Sequence, residues 1–393
     1  MTRAMHHPAG VAPGALARAA VLDVSVYAGT ESPCAVDVSD NTNLWGSPPS
    51  ALAAIRDAAR EGAGEVARYP RAYSSELVSR LLAHHGFKRM DGVDVVVGCG
   101  SDDVLDAAMR AFSVDGARIA YSVPTFSMIS TFARLSGLTA VEIPLRDDFD
   151  VDVGRLIDAG ANLTYLCAPN NPTGTAVTRA AVERVLSGTT GIVIVDEAYA
   201  EFGSSSLMDL VTQSPRLLVT RTFSKAFGLA GVRVGYGVGS EALTDLVARA
   251  RGPYKVSVPG ERAAIATLGA GPGGLGWVHE HVGEAVAMRA HLQAALAALG
   301  LRVLPSDANF VFAPLREAEA VARCMLGAGV RVRAMSGLDG PGALREEGGA
   351  GLRIGVAPFP VMEVVIAALR AALETVAPHR LSGSGPRTGA EVS

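Results

Sequence analysis

The sequence predicts an α/β protein: a large unit on a mostly parallel sheet of seven strands with helices on both faces, and a smaller α+β unit at the C-terminal end. Three observations carry this. Between Val93 and Val238, short β-branched runs alternate with helix-periodic segments, the pattern of parallel strands joined by crossover helices. Residues able to do chemistry, Asn170, Asn171, Asp196, Tyr199 and Lys225, fall just after those runs, at the carboxyl ends where such sheets place their function. Beyond about residue 270 a long Ala/Leu-rich helix leads into short strands and two helices without that regular alternation.

The elements follow in order. Met1 to about Ala20 is rich in Ala, Gly, His and Pro and reads as a loose arm or a short helix; His6 and His7 are taken as solvated rather than metal-binding. Asp40–Pro49 is polar and turn-rich, and Ser50 is expected to cap a helix over 51–59. Arg68-Tyr69-Pro70 precedes a helix over 74–85, with His84 and His85 at the end where cations complement the helix dipole. A strand over 93–97, the turn Gly98-Cys99-Gly100-Ser101-Asp102-Asp103 and a helix over 104–112 form a geometry that aims free backbone N–H groups at an anion. The turn lacks the third glycine of a dinucleotide fingerprint. Strands are expected over 118–121, 140–143, 163–167, 191–195, 217–220 and 233–238, with helices over 127–135, 153–159, 180–186 and 243–251. Helices over 263–268 and 278–299 lead to strands over 302–304, 309–312, 330–332 and 351–356, with helices over 318–326 and 362–376.

Composition excludes several classes. The chain has 393 residues, 49% hydrophobic and 19% charged, the balance of a globular protein. A net charge of −4 argues against a nucleic-acid partner. Cys34, Cys99, Cys167 and Cys324 lie far apart, with neither metal spacing nor a disulfide framework, which fits a reducing cytoplasm; Cys99 and Cys167 read as packing residues. No apolar run is long enough to span a membrane.

The most telling stretch is Thr222-Phe223-Ser224-Lys225-Ala226-Phe227-Gly228-Leu229-Ala230-Gly231-Val232-Arg233. A lone loop lysine is ordinarily a solvated surface residue. Here a hydroxyl precedes it, apolar residues follow, and an arginine comes eight residues later. A lysine amine attacks carbonyls once its pKa is depressed, and the serine and arginine suit a phosphate. Pyridoxal phosphate, an aldehyde with a phosphate handle, needs all three.

These residues carry a resemblance. Asn170-Asn171-Pro172-Thr173-Gly174, Asp196-Glu197-Ala198-Tyr199-Ala200-Glu201-Phe202, the lysine stretch and Leu352-Arg353-Ile354 occur in the order found in class I/II aminotransferases of fold-type I, and the chain is most similar to their histidinol-phosphate aminotransferase branch. The resemblance runs from about Asp37 to about Leu373. It implies pyridoxal 5'-phosphate as cofactor, held by Lys225 as an aldimine, with Lys225 also moving the substrate's α-proton. It implies Asp196 on the pyridine nitrogen, Asn171 and Tyr199 on the ring oxygen, Phe126 stacked on the ring, and the phosphate on the Ser101-Asp102 backbone, Ser224 and Arg233. It also implies a homodimer in which Tyr69 reaches the neighbouring subunit's phosphate, a small-molecule amino donor with a 2-oxo acid, and substrate contacts from Tyr27, Asn43, Arg333 and Arg353. The expected division is an N-terminal arm (1–40) joining the small domain, a large cofactor domain (41–270), a small domain (271–376) and a disordered tail (377–393). Glu201 is read as either a residue supporting the site from behind or a salt-bridge residue, with no chemical role assigned.

Three departures lie where substrate is expected. Asn41-Thr42-Asn43-Leu44-Trp45-Gly46 stands where the family has Asn-Glu-Asn-Pro-Tyr-Gly. Ala28-Gly29-Thr30-Glu31 replaces basic residues after Tyr27, and Lys255 replaces a small polar residue after Pro253-Tyr254. They leave open a second reading, a decarboxylase, lyase, cyclase or oxidase of specialised amino-acid metabolism on the same scaffold. A third, a non-enzymatic cofactor sensor, would need a DNA-binding domain ahead of the fold, for which the short arm leaves no room.

Overall fold

The computed structural model describes residues 12–26, 33–60 and 66–381, so His6, His7 and Tyr27 lie outside the described residues. Among those described, twelve strands form three sheets. They are β1 (Val36–Asp37), β2 (Val93–Gly98), β3 (Arg118–Val123), β4 (Thr139–Pro144), β5 (Leu163–Cys167), β6 (Ile192–Asp196), β7 (Leu217–Thr222), β8 (Gly235–Ser240), β9 (Phe310–Pro314), β10 (Val330–Arg331), β11 (Arg333–Met335) and β12 (Gly351–Gly355).

The large sheet has the order β2-β8-β7-β6-β5-β3-β4. β8 runs antiparallel to both neighbours and the other pairings are parallel. The carboxyl ends of β2, β3, β5, β6 and β7 therefore share one edge, and the amino end of β8 joins them there. β5 and β7 are buried at every residue, as strands covered on both faces must be. Alternate residues split between two apolar layers: Val193, Val195, Leu217 and Val219 face one, Ile194 and Leu218 the other.

The smaller antiparallel sheet is β11-β12-β9. β1 pairs in parallel with β10, tying the N-terminal arm to this C-terminal unit. Helices Leu275–Ala298, Ala318–Gly327 and Phe359–Val376 pack around it. No helix among the described residues is long and apolar enough to cross a membrane.

Several expectations shift. The helix after the glycine turn begins at Ser101, three residues early, because Gly100 at φ 81° turns the chain straight into it. Ser50 lies inside the helix Pro49–Arg60, and its hydroxyl donates to the Ala266 carbonyl rather than capping. Residues 302–304 form no strand; Leu304 is held by its N–H to the Phe312 carbonyl. The tail is structured further than expected: Ala377 is buried, Pro378–Leu381 is helical, and Arg380 donates to Glu317 and Glu347.

His84 and His85 are not dipole-complementing cations. Burial, reinforced by the Arg221 charge, lowers both pKa values, that of His85 to about 2, and its Nε2 lies 2.9 Å from the Tyr236 hydroxyl. Arg221 itself is buried in ion pairs with Glu197 and Glu201, at 2.7 and 2.8 Å. Of the two readings of Glu201, the structure shows the salt bridge.

Candidate active site

The strand ends open on a cavity of about 520 Å³, a size that suits a small-molecule ligand. Ser101, Asp102, Phe126, Asn171, Asp196, Tyr199, Ser224, Lys225, Arg233, Arg333 and Arg353 all line it. They come from the ends of β2, β3, β5, β6 and β7 and from the small sheet.

Asp196 ends β6, and only 3% of its surface is exposed. Burial lifts its pKa to about 6, against hydrogen bonds from the Tyr165 hydroxyl at 2.9 Å and the Thr220 hydroxyl at 3.0 Å. Thr220 is its cross-strand neighbour on β7. These two donors fix the carboxylate, but neither neutralises it, so the site favours a cationic partner.

Lys225 follows β7 in a buried loop and is itself half-buried, with its Nζ 3.2 Å from the Asp40 carbonyl and 5.8 Å from the centre of the Tyr199 ring. Burial, with Arg353 adding to it, lowers the lysine pKa to about 8. The amine is therefore nucleophilic at near-neutral pH. Capture of an aldehyde by the cofactor-free protein should rise with pH and level off above about 8. A rate still climbing beyond pH 10, read by stopped-flow absorbance, would show an ordinary lysine.

At the phosphate end, Arg233 adopts a left-handed backbone (φ 56°), and its Nη1 lies 3.5 Å from the Ser224 hydroxyl and 3.2 Å from the Ala230 carbonyl. It is not the start of a strand, as the sequence predicts, because β8 begins two residues later. The Thr222 hydroxyl donates to the Ser224 hydroxyl at 3.0 Å. Gly235 pairs with both Gly98 and Thr222, and a Cβ there would collide with the backbone N of Ser101. The bare backbone of β8 thus lets the amino end of the helix Ser101–Ala111 close on the cavity. Gly235→Ala should cost about 1–3 kcal/mol of stability, the scale of overpacking, and weaken phosphate-bearing ligands. An unchanged melting temperature and ligand affinity would count against this close approach.

Arg353 donates to Asn171 Oδ1 at 2.7 Å and to the Ser39 carbonyl at 2.6 Å, which leaves the Asn171 Nδ2 to donate into the cavity. The Tyr199 hydroxyl accepts from Asn41 Nδ2 at 3.1 Å.

Other predicted residues fall elsewhere. The Asn43 amide donates to the Lys225 and Ala226 carbonyls at 3.3 and 3.1 Å, so it holds the lysine loop and does not line the cavity. Tyr69 is 84% exposed, stacks on Tyr254 at 5.0 Å, and lines a separate cavity beside Arg68 and Glu261. Lys255 pairs with Asp103 at 2.8 Å and does not line the main cavity. Cys167 is buried as expected, whereas Cys99 is exposed. Reading the sequence missed Tyr165, Thr220 and Thr222, whose signal is their place on strands flanking or preceding the motifs. It also missed Asn41 and Met335, which line the cavity.

Comparison with known proteins agrees with this geometry. Residues 35–369 match the family described as Aminotransferase class I and II. The histidinol-phosphate aminotransferase of Roseiflexus castenholzii is 40% identical over 281 residues, covering 70% of this chain and 74% of that protein. An aromatic amino acid aminotransferase of Rhodococcus jostii is 34% identical, covering 78% and 84%. The crystal structure of the Sinorhizobium meliloti histidinol-phosphate aminotransferase in complex with pyridoxal-5'-phosphate superposes with a TM-score of 0.80 at 26% identity, covering 91% of this chain and 98% of that one. The donor set fits the same cofactor: a depressed lysine for the aldehyde, a buried carboxylate for the ring nitrogen, and a glycine-lined helix end with Ser224 and Arg233 for the phosphate. The chain belongs to the class I and II aminotransferases, the pyridoxal-phosphate enzymes of fold-type I.

Proposed function

We propose that this aminotransferase takes an amine bearing a terminal anion, of the histidinol-phosphate type, and passes its amino group to a 2-oxo acid. One observation carries this reading. Arg333 and Arg353 are directly paired across β11 and β12, and both line the cavity. Like charges opposite one another on a sheet are unfavourable by themselves, and an anion lying between them reverses the sign.

The bound cofactor supplies a cationic ring that draws electron density from the substrate's α-carbon. The chain's own residues do the rest. Asp196 keeps the ring nitrogen protonated. Lys225 Nζ holds the cofactor and then moves the proton at the α-carbon. Asn171 and Tyr199 would hydrogen-bond the ring oxygen, Phe126 would stack on the ring, and the backbone of Ser101 and Asp102, with Ser224 and Arg233, would hold the phosphate. Arg353 and Arg333 orient the substrate.

The functional unit is proposed as a homodimer, with Tyr69 serving the neighbouring subunit. Its support is the exposed aromatic pair of Tyr69 and Tyr254, stacked at 5.0 Å. A cytoplasmic location is proposed because all four cysteines are free.

The test is a single turnover without oxo acid, in which conversion of the cofactor to its amine form is followed by absorbance. Histidinol phosphate should react faster than histidinol and faster than phenylalanine, and Arg333→Ala should abolish the preference for the phosphate. A preference for phenylalanine over histidinol phosphate, or carbon dioxide release in place of the amine form, would refute the assignment.

A further inference from the structure

The turn that closes on the phosphate end contains a feature that works against its task. Asp103 is the third residue of the helix Ser101–Ala111, and its Oδ2 accepts the Cys99 N–H at 3.1 Å. That bond shapes the turn from Gly98 to Ser101. It also places a carboxylate in the first turn of the helix whose amino end faces the phosphate position, and two anions at one helix end repel.

The structure carries a remedy from a distant part of the chain. Lys255, 152 residues on, places Nζ 2.8 Å from Asp103 Oδ1, the oxygen not used by Cys99. The pair is sheltered, with Asp103 11% and Lys255 35% exposed at their side chains. The loop bearing Lys255 is anchored by the Tyr254 N–H to the Ala72 carbonyl and by the Tyr69–Tyr254 stack. Arg251, at the end of the preceding helix, is 4% exposed, and neither its Nε nor its Nη1 finds an acceptor. Its charge also acts on Asp103. Lys255 is therefore the cation in direct contact with this carboxylate behind the turn, while the Arg251 guanidinium lies 5.5 Å from the centre of the Tyr73 ring.

We propose that Lys255 is a positioning residue for the cofactor's phosphate: it neutralises Asp103, so that this carboxylate can shape the anion-binding turn without repelling the anion. The inference rests on the assignment of pyridoxal phosphate to this cavity. Lys255 touches neither ring nor substrate, and its effect is confined to ligands that carry the phosphate.

The experiment compares dissociation constants of pyridoxal phosphate and of pyridoxal, which lacks the phosphate, for the full-length protein and its variants. Lys255→Met should weaken pyridoxal phosphate about tenfold, the scale of one sheltered charge-assisted contact, and leave pyridoxal unchanged. Lys255→Arg should restore most of the loss. The double variant Lys255→Met with Asp103→Asn should restore it too, because the amide still accepts from Cys99 but carries no charge. A scaffolding role alone predicts the opposite, that the double variant binds no better than Lys255→Met. Should Lys255→Met fail to fold, Lys255→Gln gives the same comparison. Equal losses for both ligands, or no loss, would overturn this inference while leaving the cofactor assignment intact. Wild-type protein that took up neither ligand would overturn both.

Discussion

Lys225→Ala should abolish amino transfer and the visible absorbance of the lysine-bound cofactor, with the transfer step slowed by at least about 10³-fold. The size of the effect follows from two jobs resting on one atom. In the proposed mechanism the Nζ captures the aldehyde and also moves the proton at the substrate's α-carbon. Burial and Arg353 prepare it for both by lowering its pKa to about 8, so about a tenth is unprotonated at pH 7, far more than of an ordinary lysine. Among the described residues no other side chain lining the cavity is an amine, so none of them can stand in. The variant should still fold, because the lysine loop is held by backbone and neighbouring groups: Asn43 on the Lys225 and Ala226 carbonyls, and the Gly228 N–H on the Lys225 carbonyl at 3.1 Å. Added methylamine should recover part of the proton transfer. A variant that kept both absorbance and turnover would remove Lys225 from the site.

The second large effect belongs to Asp196. Asp196→Asn keeps the shape and both hydrogen-bonding neighbours but deletes the charge opposite the ring nitrogen. Turnover should fall about 10²–10³-fold, the range for losing one preorganised electrostatic partner in a shielded site. The pH behaviour separates this from a folding defect. In the cofactor-free protein the Asp196 pKa is raised to about 6 by burial. The native state therefore binds the proton more tightly than the unfolded chain. The resulting stability is complete below about pH 4 and is lost as pH rises through about 6. A cationic ring nitrogen beside the carboxylate offsets that loss. The melting temperature of cofactor-free wild type should thus fall between about pH 4 and 6 relative to Asp196→Asn, and the cofactor should close the gap. A gap that is absent without cofactor, or unchanged by it, would contradict the role given to Asp196.

Most of this site was legible in the sequence because its parts are local. Asn171, Asp196 and Lys225 each fall within four residues of the end of a strand and Ser101 opens the helix after β2, and the carboxyl-end rule of parallel sheets gathers them without further information. The β8 reversal is what brings Arg233 and Gly235 to the same edge, and the motif order anticipated Arg233 without its backbone geometry. What the sequence hid are the contacts between distant segments. Asn43 lies 182 residues from the carbonyl it holds, and Lys255 lies 152 residues from Asp103, so neither role has a local signature. Charge states were hidden for the same reason. His84 and His85 stand at a helix end that would suit cations, but burial, with the charge of Arg221 from β7 adding to it, lowers their pKa values. Tyr165 and Thr220 support Asp196 from the two neighbouring strands, a relation fixed by register and not by spacing along the chain.

The central claim is that Lys225 is the residue that holds pyridoxal phosphate, and the chain offers a clean way to test it, since it contains only three lysines, Lys88, Lys225 and Lys255. Holoenzyme reduced with borohydride, digested and mapped by mass spectrometry should carry the phosphopyridoxyl group on Lys225 alone, at one per chain. The group on Lys88 or Lys255 instead, or no stable label at all, would contradict the account.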